Sequence, residues 1–150
     1  MLFRVAARCI ILRDGKILVQ LSKKGDFYRL PGGRIRPDET IVQGLQREVH
    51  EELGIEKIEN MRLIFIVDSF YKRRSGLVHE VGFYFLCDVG DAEIKPREEH
   101  LRIEWIEPEQ LDSKNFRPSA LAPHLRRIRE VLENGLPAQY IINVDVGGQD

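Results

Sequence analysis

The stretch LPGGRIRPDETIVQGLQREVHEELGI, residues 30–55, prescribes a loop, a helix and a helix stop in that order. Thr40 and Gln43 form a capping-box pair at the start, and Gly54 can leave the helix in the left-handed conformation. The spacing predicts a helix over 41–53. At about 100° per residue, Val42, Leu45, Val49 and Leu53 gather on one apolar stripe that must be buried against a sheet or a second helix. Gln43, Gln46 and His50 fall opposite, and Glu48, Glu51 and Glu52 share one flank. Like charges at helical neighbour spacing repel. An edge this acidic, beside a face fixed to a core, asks for a cation.

The rest of the chain must supply that core. Its 150 residues, 43% hydrophobic and 31% charged, suit one globular domain over 1–150. A formal net charge of −1 gives no overall field for a polyanion, so a nucleic-acid partner is not expected and any phosphate affinity must be local. No apolar run has the length of a membrane span, and no membrane partner is expected. The opening MLFRVAARCIILRDGK alternates like a first strand rather than following the order of a signal peptide. Cys9 and Cys87 each lie within an apolar run, which predicts buried reduced thiols and a cytoplasmic protein. The four scattered histidines show no zinc spacing.

Runs at 3–12 and 16–21, joined by Asp14-Gly15, predict a hairpin. A structured, glycine- and proline-punctuated loop follows and feeds the helix. Further strands are expected at 61–70 and 77–89, joined by the basic YKRRSG, and at IEWI. The segment SALAPHLRRIREVLENG predicts a second amphipathic helix and AQYIINVDV a last strand. This order of elements belongs to the α/β class, with a mixed sheet covered by helices.

Three adjacent carboxylates are the ligand type that hard divalent cations take, and magnesium uses one or two of them together with phosphate oxygens. Gly33, Glu39, Arg47-Glu48-Val49, Glu51-Glu52 and Gly54-Ile55 resemble the Nudix box, G-x5-E-x7-R-E-U-x-E-E-x-G-U with U bulky and apolar, at every position. LPGG is also the usual lead-in of that family. The resemblance implies an α/β/α sandwich with a mixed central sheet, in which the box forms a loop-helix-loop catalytic motif. It implies hydrolysis of a phosphoanhydride bond in a nucleoside diphosphate linked to a further group, with magnesium, or manganese in its place, as cofactor.

Carried over position by position, the resemblance makes Glu48, Glu51 and Glu52 metal ligands and brings a backbone group of Gly33 near the metal. Glu52 or Glu48 would handle the proton of the attacking water. Arg47 would hold a carboxylate in its ligating rotamer, and Glu39 would support the loop or, in the alternative, a second metal. The family often recruits an acid from beyond the box. Glu98 and Glu99 stand just before a strand, and Glu99 is the chosen candidate.

Outside the box, Arg4 and Arg8 share one face of the first strand and Glu80 interrupts an apolar one, which suits a polar pocket. Lys72, Arg73 and Arg74 could grip distal phosphates, and Tyr28 or Phe27 could stack on a base. The candidate substrate-binding residues are Arg8, Tyr28, Arg74 and Glu80. Relatives that cut ADP-ribose often carry a proline some sixteen residues past the box, where this chain has Tyr71. A tyrosine near that offset resembles the dinucleoside polyphosphate hydrolases, although an aromatic within a strand usually packs in the core. The expected substrate is a nucleoside triphosphate, in ordinary or oxidised form, or a nucleotide sugar such as ADP-ribose. Alternatives are a dinucleoside polyphosphate, an RNA 5′ end, or a non-catalytic ligand-binding module. The resemblance also brings a homodimer into view.

Overall fold

The computed structural model describes residues 1–145. Strand β1 (Leu2–Ile10) is followed by the short β2 (Leu12–Arg13) and by β3 (Lys16–Leu21). Asp14 and Gly15 both take positive φ, 53° and 77°, as a two-residue turn matched to strand twist requires. Strands β4 (Tyr28–Arg29) and β5 (Gly32–Arg34) lead to helix α1 (Ile41–Leu53). The long hairpin β6 (Asn60–Arg73) and β7 (Gly76–Asp88) precedes β8 (Arg102–Ile106). Two 3-10 turns, α2 (Ala122–Arg126), α3 (Ile128–Asn134) and β9 (Gln139–Asp145) complete the described chain.

The main sheet runs β5-β1-β7-β6-β9 and is mixed, with β1 parallel to β7, β6 parallel to β9 and the other pairs antiparallel. A smaller sheet joins β2, β3, β4 and β8. Strand alternation splits β1 between two cores. Ala7 and Cys9 pack with Leu45, Val49 and Leu53 of α1, while Ile10 packs with Phe65, Tyr84, Leu125, Ile128 and Val131. Helix α1 thus covers one face and α2 with α3 the other, which gives the expected α/β/α layering. Cys9 and Cys87 are both buried and unbridged, with their sulfurs facing each other 2.6 Å apart.

Four expectations about elements change. The apolar run 3–12 is not one strand: residues 2–10 pair with β7, and from Leu12 the chain turns into the local hairpin of the smaller sheet. Hydrophobic alternation continues through that bend, so it carries no sign of the change of sheet. Val42 is 48% exposed and off the core stripe, because α1 seats Gly44, Leu45, Val49, Glu52 and Leu53 instead. A Cβ on Gly44 would meet Ile35 Cδ1 at 2.5 Å, so glycine is what lets the preceding loop close on the helix there. The second helix divides at Arg127, whose φ −101° and ψ 21° leave the helical region, and its first turn is 3-10.

Candidate active site

The box helix is built as its sequence demands. Thr40 Oγ1 accepts from Gln43 N at 3.0 Å while Gln43 Oε1 accepts from Thr40 N at 2.8 Å, and Gly54 ends the helix with φ 72°. Between these caps Arg47 becomes a hub. Its Nε and Nη2 donate to the two Glu39 oxygens at 3.0 and 2.7 Å, and Nη2 also reaches the Arg34 carbonyl at 3.1 Å. Its Nη1 contacts Glu48 Oε1 at 3.0 Å and Glu51 Oε2 at 3.5 Å. One guanidinium therefore ties the loop to the helix and orients two of the three flank carboxylates.

The third, Glu52, turns inward. It is 8% exposed, and its Oε1 accepts from Gln20 Nε2 at 2.5 Å and from Gly32 N at 3.3 Å. Burial, reinforced by the neighbouring Glu48 carboxylate, pushes its pKa up to about 7 against the pull of Gln20 and Arg8. Gly33 packs against Glu48: an added Cβ would lie 2.5 Å from Glu48 Cδ and 2.6 Å from its Oε2, so a larger residue there would displace the carboxylate.

These features fit a hard divalent cation. Two carboxylates lie close enough to compete for a proton, one of them buried, beside a bare glycine backbone. Among the described residues, no three acidic, histidine or cysteine side chains are already gathered around one point. The Glu51 side chain is 46% exposed and contacts Arg47 Nη1, at 3.5 Å, the same nitrogen that meets Glu48.

The carboxylates open onto a cleft of about 660 Å³ whose floor is the face of the main sheet opposite α1. Arg4 and Arg8 from β1, Glu80 and Tyr84 from β7, and Ser69 and Tyr71 from β6 line it. Arg4 Nε donates to Glu80 Oε1 at 2.9 Å, Tyr71 OH to the same oxygen at 3.2 Å, and Arg8 Nη1 to the Leu30 carbonyl at 2.9 Å. Arg29 also faces the cleft, with a buried Nε that has no hydrogen-bond partner and a pKa lowered by burial and by Arg8. The lining carries nine basic and six acidic residues. A chain of net charge −1 thus concentrates positive charge where an anion would enter.

The structure brings Glu48, Glu52, Gly33, Arg8 and Glu80 to this cleft, with Arg47 and Glu51 just behind it. Three candidates fall elsewhere. Glu99 is 88% exposed in its side chain and faces His100, whereas Glu98 lines the cleft. The hydrogen bond from Arg97 N to the Glu52 carbonyl, 2.8 Å, docks this loop on the end of α1. Tyr28 packs against the main core while its neighbours Phe27 and Arg29 face the cleft, a consequence of strand alternation. Arg74 is exposed in the turn beyond β6, and only Lys72 and Arg73 of the basic run reach the lining. Tyr71 is a cleft residue rather than a core one.

Gln20, Arg29, Ser69, Tyr84 and Asp145 were not anticipated. Gln20 had a local signal, a polar residue inside KILVQL, and Asp145 alternates with the exposed apolar residues of β9. Neither signal says which face of a strand meets a ligand.

A family model described as the NUDIX domain matches residues 2–130. The 8-oxo-dGTP diphosphatase of Buchnera aphidicola is 29% identical over 111 residues, covering 71% of this chain and 79% of the relative. The CTP pyrophosphohydrolase of Escherichia coli is 32% identical over 105 residues, covering 67% and 73%. The crystal structure of a MutT protein from Bacillus halodurans superposes with a TM-score of 0.74 over 95% of this chain and 90% of that one, at 16% identity. That likeness is one of fold.

Proposed function

This chain belongs to the Nudix family, and we propose that it is a metal-dependent pyrophosphohydrolase that splits a nucleoside triphosphate, ordinary or oxidised, into the monophosphate and diphosphate. The observation that carries the reading is Glu48 and buried Glu52 set against the Gly33 backbone at the mouth of a cleft rich in arginine. Relatives named for acting on 8-oxo-dGTP and CTP support the triphosphate.

Glu48 and Glu52 would hold magnesium, with Glu51 as a third ligand once released from Arg47. Such an ion, when bound, neutralises the charge that builds on the phosphates and lowers the pKa of water. The chain's own residues do the rest. A Glu52 or Glu48 oxygen accepts the proton of the attacking water as its oxygen bonds to phosphorus and the anhydride P–O bond breaks. Arg8 and Arg29 bind phosphate oxygens, which would give the Arg29 Nε an acceptor. Arg47 keeps Glu48 aligned throughout.

Among the described residues no helix is long and apolar enough to cross a membrane. We place the enzyme in the cytoplasmic nucleotide pool, in keeping with its free thiols. A second copy is proposed as partner. Tyr140, Ile142 and Val144, each about 60% exposed, form an uncharged stripe on the edge strand β9 that the same stripe of a second copy would cover. Sedimentation giving twice the chain mass is expected, and a monomer at tens of micromolar would remove the partner.

The test of activity is purified protein with magnesium, offered a panel of nucleoside triphosphates and ADP-ribose, with products identified. Triphosphates should yield monophosphate and diphosphate, and chelation should stop the reaction. Absence of turnover on every nucleotide, or turnover indifferent to chelation, overturns the reading.

A further inference from the structure

The family match ends at residue 130, within α3, yet β9 follows and joins the main sheet beside β6. Register pairs Ser69 with Asn143 and Tyr71 with Asp145, so the added strand extends the cleft floor away from Glu48 and Glu52. By strand spacing, β9 lies about 14 Å from β1 across the sheet. That separation leaves room for phosphates and sugar between the carboxylates and this wall.

The wall is a connected polar network. Asn143, 1% exposed, donates from Nδ2 to Ser69 Oγ at 2.9 Å and to Asp145 Oδ2 at 2.8 Å, while its Oδ1 accepts from Ala120 N at 2.9 Å. Ser119 Oγ donates to Asp145 Oδ1 at 2.6 Å. With its amide committed on both sides, Asn143 holds two cleft-facing groups in place. Ser69 accepts from it, which leaves the hydroxyl proton to point elsewhere, and Asp145 Oδ1 keeps a lone pair beyond its Ser119 bond. A donor and an acceptor thus stand side by side on the floor. Hydrogen bonds from Ser119 and Asn143, with Arg117 nearby, outweigh burial and keep Asp145 ionised.

We infer that Asp145 and Ser69, positioned by Asn143, read the nucleobase and select one that carries an exocyclic amino group. A carboxylate oxygen accepts from an amine but meets a carbonyl oxygen as a like dipole, left unpaired and repelled. This inference rests on the triphosphate reading above and assigns its specificity to a strand outside the matched domain. The competing role for Asp145 is capping the 3-10 turn at Ser119, which would affect stability and leave base choice alone.

The experiment compares kcat/KM within pairs that differ at the amine, GTP against ITP and CTP against UTP, for the wild-type chain, Asp145→Asn and Ser69→Ala, with melting curves for each. Wild type should favour the amino-bearing member of at least one pair by about tenfold or more. Asp145→Asn should shrink that ratio to below about threefold, chiefly through KM, because a base contact is made before and during the reaction alike. Should Asp145→Asn fail to fold, Ser69→Ala, which leaves β9 intact, carries the test and should narrow the same ratio. Equal rates within both pairs for wild type, or a preference that survives both variants, overturns the inference while the triphosphatase stands. No turnover of any triphosphate removes both.

Discussion

Arg47 and Glu39 meet fork to fork, with Nε and Nη2 on the two carboxylate oxygens at 3.0 and 2.7 Å, and the remaining Nη1 is thereby aimed at Glu48. The loop acid orients the arginine, and the arginine orients the ligand carboxylate. A lysine offers one point charge and cannot make both contacts. Arg47→Lys should therefore lower kcat by about 10–100-fold through misaligned Glu48, in a protein that keeps its fold by circular dichroism but melts earlier as the loop loses its fork. Equal kcat for the variant would reduce the arginine to a surface residue.

The same pair sets an acid limit. Arg47, with the Arg36 amide, holds Glu39 down to about 2 from an ordinary 4.5. A depressed carboxyl stabilises the fold above the unfolded value and loses that contribution as pH falls from 4.5 toward 2. Melting temperature followed over that range should fall less steeply in Glu39→Gln than in wild type, and parallel profiles would count against it.

Glu52 has the opposite sign. Its folded pKa of about 7 exceeds the ordinary 4.5, first through burial. Without metal, the unfolded carboxyl ionises first, so a destabilising cost grows from pH 4.5 and is complete above 7. Chelated wild type should lose melting temperature across that interval and Glu52→Gln should not. Added magnesium should raise the wild-type melting temperature more at pH 8 than at pH 5, and Glu51→Gln should reduce the gain. A magnesium effect independent of pH and of both glutamates would show that the flank is only solvated.

Turnover should depend on Glu52 beyond its effect on stability. Glu52→Gln preserves shape and removes both a ligand charge and a proton acceptor, so kcat should drop by about 10²–10⁴-fold in a folded protein. Circular dichroism establishes the fold, and activity within tenfold of wild type contradicts the assignment.

The two glutamates before β8 separate cleanly. Glu98→Gln, on the cleft wall, should lower kcat with little change in KM, and the exposed Glu99→Gln should match wild type. The reverse pattern would mean that the loop turns over when substrate enters.

Residues 30–55 by themselves determined the loop, the capped helix and the set Glu48, Glu51 and Glu52, because capping, helical period and charge repulsion act between residues a few positions apart. The same local logic marked Arg8 and Glu80 as charges misplaced in apolar strands. What it could not supply was facing. Gln20 reaches Glu52 from 32 residues away, Glu98 rather than Glu99 lines the cleft in a loop that Arg97 docks on the end of α1, and Asp145 joins Tyr71 only through the parallel pairing of β9 with β6. Each depends on which strand lies beside which, and on how much of the sheet face opposite α1 the helices α2 and α3 leave uncovered. Those relations arise from burial summed over the whole chain, so tertiary structure alone decided that the polar face became a cleft and that its far wall carries an acid.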